Sequence, residues 1–330
     1  MVTILDIARE AGVSPSTVSR VLNGTVPVAE EKREAVLSIA KKLRYQPNTV
    51  AQGLVRGRTQ AIGILTQSIA SPFYGEILLG IEQGLARSGY QPIIASGNWR
   101  TDDEIAALDL LSARRVDGLI VFAGVLSDEH LYEAASSMPL IVIGRSVAGI
   151  EQQCLAIDNY EAAKEATQLL ISLGHRRIVH IAGPKTHQDA TERCVGYRQA
   201  LTELGLEIDE QLIIQGDYTE QSGLMATQAL LSRGVLFTAL FAANDQMAAG
   251  ARLALYRHNL RVPDDISLVG FDDQPASAYC IPPLTTIRQP TQAIGHAAAQ
   301  AVLQLLDKQT LQLPTLMTEL IIRESTSRRR

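Results

Sequence analysis

From Ala61 to Asp273 the chain alternates short apolar runs with longer segments of helical period, and few folds accept that pattern. AIGILT precedes a helix expected at 74–87, PIIAS one at 102–114 and GLIVFA one at 127–136, before LIVIG. After CLAID the alternation restarts: helix 160–173, RIVHIAG, helix 190–204, LIIQG, helix 219–232, ALFAA, helix 245–258 and SLVGFDD. Alternating strands and helices build parallel sheets with right-handed crossovers. The break near Ile157–Tyr160 divides them into two doubly wound α/β lobes with a cleft between. Sheets of this kind bind ligands beyond the carboxyl ends of their strands.

The first 60 residues follow a different rule. Thr3 is placed to cap a helix running to about Glu10, with Ile4, Ile7, Ala8 and Ala11 on one face and Gly12 at its end. Ser14 caps a second helix, and Pro15 takes its first position, where a missing N–H costs nothing. Val18, Val21 and Leu22 form its buried face, and Asn23-Gly24 turns the chain. A third helix, about Glu30–Leu43, is expected to face Ala35, Val36, Ile39, Ala40 and Leu43 inward. Two short helices joined by a glycine turn, the second led by small polar residues, form a helix-turn-helix that enters a major groove. Ser14, Thr17, Ser19 and Asn23 have side chains suited to phosphates. Arg20 offers a fork to guanine O6/N7, worth roughly 1–3 kcal/mol of discrimination. Charge points the same way. Residues 1–60 carry nine Lys/Arg against five acids, net +4, while the remainder carries 21 against 30, net −9. A packed helical hairpin with no nucleic-acid role is the bland alternative.

Other classes find little support. The three cysteines, Cys154, Cys194 and Cys280, have no ligand or disulfide spacing. The six histidines lack metal spacing, and His175 in LGHRR reads as the finish of a helix end. GILTQSIASPFYG stands where a dinucleotide-binding glycine loop would follow the first strand, and there is no Walker loop or G-x-S-x-G. We therefore expect no enzyme activity, no metal and no cofactor. The N-terminus lacks a signal-peptide pattern and no apolar run reaches about 18 residues, so a cytoplasmic, non-membrane protein is expected.

The stretch TILDIAREAGVSPSTVSRVLNG resembles the helix-turn-helix of the lactose-repressor/galactose-repressor family of bacterial transcription regulators. The resemblance continues through YQPNTVAQGL, SPFYGEILLGIEQGL, GHRRIVHIAGP, RCVGYRQAL, ANDQMAAGA, DISLVGFDD and PPLTTIRQP. It implies a two-lobed sensor like the periplasmic binding proteins behind an all-α DNA-binding domain. The implied divisions are a helix-turn-helix at 1–46, a hinge helix and linker at 47–60, and an effector domain at 61–330. Its first lobe would take about 61–157 and 290–318, its second about 158–289 and 319–326. By the resemblance Pro15, Ser16 and Arg20 read bases, with Thr3 and Asn48 also facing DNA. Pro15 can give only an apolar contact. Leu54 falls where the family's hinge wedges a leucine into the minor groove, although a hinge this short is marginal as a helix in water and Gly53 weakens it further.

A sugar site needs aromatic faces and groups that bond two hydroxyls at once. Phe73 and Tyr74 follow the first strand, while Arg193, Tyr218, Asn244, Asp272 and Gln289 follow or end later ones. The resemblance implies that Arg193 and Asp272 pair with ligand hydroxyls, Asn244 and Gln289 add amide contacts, and Tyr218 and Phe73 stack. Ser71, Asn98 and Arg145 complete the candidate set; structural pairing or packing is the competing role for each charged or aromatic member. The expected function is a DNA-binding repressor, a homodimer on a pseudo-palindromic operator, controlled by a small-molecule effector, most simply a carbohydrate. The lack of a C-terminal leucine heptad favours a dimer over a tetramer. A nucleoside or nucleobase sensor, a solute-binding protein and a sugar-modifying enzyme are the alternatives.

Overall fold

The computed structural model describes residues 2–23 (of Asn23 the backbone alone), 27–45 and 58–329. The chain divides into two compact units, Met1–Thr59 and Gln60–Arg330.

The first unit holds α1 (Ile4–Ala11), α2 (Pro15–Asn23) and α3 (Glu30–Lys42). Ile7, Ala8, Val18, Val36 and Ala40 form its buried centre, with Ile4, Val21, Leu22, Ile39 and Leu43 packed around them. Ala35, expected inward, is exposed: Val36 and Ala40, one turn apart, take the inner face of α3.

The second unit contains two sheets. The first, in the order β2-β1-β3-β4-β5, uses β1 (Ala61–Thr66), β2 (Gln91–Ser96), β3 (Gly118–Phe122), β4 (Leu140–Ile143) and β5 (Cys154–Leu155), all parallel. The second, in the order β11-β10-β9-β8-β6-β7, uses β6 (Ile178–Ala182), β7 (Ile213–Gln215), β8 (Ala239–Ala242), β9 (Ser267–Asp272), β10 (Thr285–Arg288) and β11 (Glu319–Ile321). Only β11, at the edge, runs antiparallel. β1, β3, β4, β6, β8 and β9 are buried along their whole length, which is why they read as unbroken apolar runs rather than alternating ones. Helices cover both faces: α4 (Pro72–Leu85), α5 (Thr101–Ala113), α6 (Asp128–Ser137) and α11 (Thr291–Leu306) on the first sheet, and α7 (Asn159–Ser172), α8 (Gln188–Glu203), α9 (Glu220–Ser232) and α10 (Asp245–Arg257) on the second.

The chain passes between lobes after β5, after β10 and after α11. α11 therefore packs against α4, more than 200 residues earlier. The two helices approach through glycine: a Cβ on Gly80 would stand 2.2 Å from the carbonyl oxygen of Gln292, and one on Gly295 2.0 Å from that of Ile77. The strand orders reverse between β1 and β3 in one sheet and between β6 and β8 in the other. Those are the positions where a doubly wound sheet opens a crevice, and the two crevices meet.

Candidate effector cleft and nucleic-acid interface

The N-terminal unit presents a small polar surface. Thr3 and Asp6 close a capping box: the Thr3 N–H donates to Asp6 Oδ2 at 2.9 Å, and the Asp6 N–H donates to Thr3 Oγ1 at 3.4 Å. The Thr3 hydroxyl also donates to Asp6 Oδ2, at 2.8 Å, so Thr3 is engaged in holding the helix start. Hydrogen bonds from Thr3 keep the Asp6 carboxyl below its ordinary pKa. Gly12, at φ 62°, ends α1 in the left-handed conformation glycine accepts without strain. Ser14 accepts from the Thr17 N–H at 3.2 Å and exchanges hydroxyl bonds of 2.8 Å with Ser16 and Thr17. Val18 anchors α2 inward while Pro15, Ser16 and Arg20 stay exposed and Thr17 and Ser19 half-buried. Arg20 has no ion pair among the described residues. The backbone of Asn23 closes α2; its side chain, Asn48 and Leu54 lie outside the described residues.

In the second unit a cavity of about 320 Å³ opens between the lobes. Ser71, Phe73, Tyr74 and Trp99 line it from the first lobe, and Arg193, Tyr218, Asn244, Asp272 and Gln289 from the second lobe and its crossing strand. A smaller chamber of about 80 Å³ adjoins it, sharing Phe73, Tyr74, Trp99, Arg193 and Gln289 and adding Arg145 and His187. Asn98 borders neither. It is exposed, accepting from Ser96 Oγ at 3.2 Å and donating to Asp103 at 3.3 Å. Arg145 is drawn away by Asp128 and donates to the Leu126 carbonyl at 2.7 Å.

Arg193 is the most constrained of these side chains. It projects from α8 and is 4% exposed. Its Nε donates to Asn159 Oδ1 at 2.9 Å and Nη1 to the Ala243 carbonyl at 2.6 Å, while Nη2 pairs with Asp189 at 3.5 Å. The guanidinium lies 3.8 Å from the centre of the Phe271 ring. Asp189 also accepts from the Tyr218 hydroxyl at 2.9 Å. Asn244 caps α10, accepting from the Met247 N–H at 2.9 Å and donating to the Tyr218 carbonyl at 3.0 Å.

Asp272 ends β9 at φ 116°, a strained backbone for a side-chain-bearing residue. It accepts from Gln289 at 2.7 Å and Gln274 at 3.4 Å. Burial, and the Asp245 carboxylate beneath, push its pKa up to about 8 against the pull of Arg193. Its sequence neighbour does different work. Asp273 pairs with Arg288 at 2.8 Å and Arg323 at 2.7 Å, tying β10 to the segment after β11. Of these two neighbouring side chains, Asp272 faces the cavity and Asp273 joins strands.

The family model for bacterial regulatory proteins of the lacI family matches residues 3–48, and that for a periplasmic binding protein-like domain matches residues 167–326. Catabolite control protein A of Priestia megaterium is 36% identical over 94% of this chain and 94% of its own. The transcriptional regulator GalR of Escherichia coli K12 is 37% identical over 94% and 91%. This chain belongs to the LacI family. Two solved structures of LacI-family regulators extend the likeness to three dimensions. The Lac repressor dimer bound to operator and an anti-inducer is 32% identical with a TM-score of 0.88, covering 99% of both chains. The regulator CelR in complex with cellobiose is 35% identical with a TM-score of 0.73, covering 98% of this chain and 100% of the other. A LacI-family chain is a DNA-binding transcription regulator, not an enzyme. No helix among the described residues is long and apolar enough to cross a membrane.

Three side chains at the LacI-family cleft escaped sequence reasoning. Trp99 follows β2 and stacks on His187 of the other lobe, ring centres 3.8 Å apart at 20°; His187 in turn stacks toward Tyr218 at 5.9 Å. Asn98 and Trp99 both adopt positive φ, and the Trp99 N–H donates to Gln67 Oε1 at 3.1 Å. That turn swings Trp99 inward and Asn98 out. Asp189 had a readable signal, a carboxylate four residues before an arginine on one helix.

Proposed function

We propose that this chain is a repressor whose operator binding is set by a sugar held between the lobes. The observation that carries this reading is the composition of the cavity wall. Aromatic faces (Phe73, Tyr74, Trp99, Tyr218) alternate with groups able to bond paired hydroxyls (Arg193, Asn244, Asp272, Gln289), and both lobes contribute. A ligand bridging both lobes binds their closed arrangement better, and that differential affinity is what moves the equilibrium. The solved likenesses, an operator-bound dimer and a cellobiose complex, support the same two partners.

In this reading α2 enters the major groove with Pro15, Ser16 and Arg20 toward base edges and Ser14, Thr17, Ser19 and Asn23 toward phosphates. Asn48 and Leu54 act in the hinge, Leu54 as a minor-groove wedge. The divisions are 1–46, 47–60 and 61–330, and the protein works in the cytoplasm. A homodimer matches a pseudo-palindromic site. On the second lobe Tyr256, Tyr279 and Ile281 are 77%, 86% and 90% exposed. Arg252 of α10 donates to the Ile281 and Pro282 carbonyls at 3.4 Å, bringing loop and helix into one apolar face for a second copy.

The deciding experiment measures affinity for a labelled operator with and without members of a carbohydrate panel. A sugar that changes operator affinity by about 5- to 150-fold, with operator changing sugar affinity by the same factor, is expected. A panel without effect removes the sugar reading. The stacked series Trp99–His187–Tyr218 favours one second reading, a planar nucleobase as effector, which a nucleoside panel tests in the same assay.

A further inference from the structure

The cavities between the lobes are bordered by three carboxylates, Asp189, Asp217 and Asp272, and two guanidinium groups, Arg145 and Arg193. The cations are already spoken for. Arg145 is bound by Asp128 and donates to the Leu126 and Ser146 carbonyls. Arg193 spends one N–H each on Asn159, the Ala243 carbonyl and Asp189. The carboxylates are less fully occupied. Asp189 Oδ2 takes the Tyr218 hydroxyl and Arg193, and Asp217 Oδ1 takes both the N–H and the hydroxyl of Thr219. Among the described residues no donor is seen on Asp189 Oδ1.

Of the helix starts bordering the cleft, α4 opens with the apolar residues Pro72, Phe73 and Tyr74 and no acid in its first turn, while the three of the second lobe give no spare attraction for an anion. α8 carries Asp189 in its first turn, α9 begins beside Asp217, and α10 is capped by Asn244 with Asp245 after it. His187 has a buried Nδ1 without a partner among the described residues, but burial holds its imidazole below its ordinary pKa, which favours the neutral form. Burial works against the Asp217 carboxylate, yet hydrogen bonds from Thr219 and Ser222 outweigh it and keep it ionised. With Arg145 paired to Asp128, Arg193 to Asp189 and Asp272 holding a proton, the wall is rich in acceptors, keeps an ionised Asp217 and has no spare positive charge.

We propose that the cleft selects uncharged, hydroxyl-rich sugars and excludes phosphorylated and carboxylated ones. Hydroxyls donate as well as accept, so they satisfy Asp189 and Asp217 while the remaining amide and guanidinium hydrogens reach their oxygens. A phosphate or carboxylate only accepts, and it brings negative charge beside carboxylates in a partly desolvated space. This inference rests on the sugar-sensor reading and narrows its ligand.

Trp99 is the one tryptophan of the chain and borders both cavities, so its fluorescence reports occupancy. The test titrates the full-length protein, at constant ionic strength, with inorganic phosphate and with matched sets of glucose, galactose and cellobiose against glucose 6-phosphate, galactose 6-phosphate and glucuronate. The expected result is a saturable change with a neutral sugar, at least about tenfold weaker binding of its charged counterpart, and no saturable response to inorganic phosphate. Tighter binding of a 6-phosphate, of glucuronate or of inorganic phosphate than of the neutral sugars overturns the exclusion and leaves the two-lobed sensor reading standing. A saturable response to a purine nucleoside with none to any sugar, neutral or charged, overturns both.

Discussion

Gln289 donates to Asp272 Oδ1 at 2.7 Å, and Gln289 is the residue at which the chain leaves β10 to return to the first lobe. The buried carboxylate is thereby bonded to a crossing segment, so a ligand that engages Asp272 acts on a strap joining both lobes. Asp272→Ala is expected to abolish the effector response while leaving ligand-free operator affinity within about twofold. Operator binding with and without the effector checks it, and a variant that still responds fully at the same ligand concentration would remove Asp272 from the site.

The same residue gives a pH signature. Its folded pKa stands near 8, against an ordinary 3.8, so the folded state holds a proton that the unfolded chain releases. Stability from this group is present at low pH and lost as pH rises toward 8. Asp272→Asn should therefore gain stability relative to wild type between pH 5 and pH 8. Parallel thermal melts at those two values test the sign; a constant difference would mean that Asp272 is ionised throughout.

His180 works in the opposite direction. It lies fully buried between the Tyr197 and Phe241 rings, and burial lowers its pKa to about 4. The unfolded chain takes up a proton below about 6.5 that the folded state refuses, so stability falls as pH drops from 6.5 toward 4. At pH 4.5 the loss from this residue is about 2–3 kcal/mol. Urea titrations of wild type and His180→Phe should diverge by that amount between pH 7 and pH 4.5, with the wild type more sensitive.

Removing Arg193 leaves Asp189, Asn159 and the Ala243 carbonyl without a shared donor in a buried setting. Arg193→Ala is expected to cost about 3–5 kcal/mol of folding stability as well as effector binding. Arg193→Lys keeps the charge but not the fork and should fall between. Denaturant unfolding of both variants measures this; a loss under about 1 kcal/mol for alanine would show that the network contributes little.

Arg20 is exposed on α2 and makes no ion pair among the described residues, so its side chain is available to base edges. Arg20→Ala should cost about 1–3 kcal/mol of specific binding and little nonspecific affinity. Equal losses on operator and random duplex would reassign Arg20 to a phosphate.

The parallel sheets were legible because their strands are buried on both faces, which turns each into an apolar run bounded by helical periodicity. β11 was not: its three residues, Glu319–Ile321, lie on an edge, half-exposed, and too short for a period. β10 was disguised by the two threonines of TTIR, which are buried beside Asp245 and Arg323 for reasons only tertiary structure supplies. Among cleft residues, those at strand ends could be placed by rule, as with Tyr218, Asn244, Asp272 and Gln289. Trp99 and His187 could not, because a stack between lobes depends on how two separately coded crevices meet.

The packing of α11 on α4 has a consequence for the growing polypeptide. Ile294, Ala298, Ala299, Ala301 and Val302 belong to the same core as Ile62, Ile77 and Ile120. While the ribosome is still making the second lobe, the first therefore lacks one wall of its interior, and α4 keeps an uncovered stripe around Gly80 and Gly84. Sensor assembly must wait for α11, so a chain cut short before Thr291 loses part of both halves rather than its tail alone.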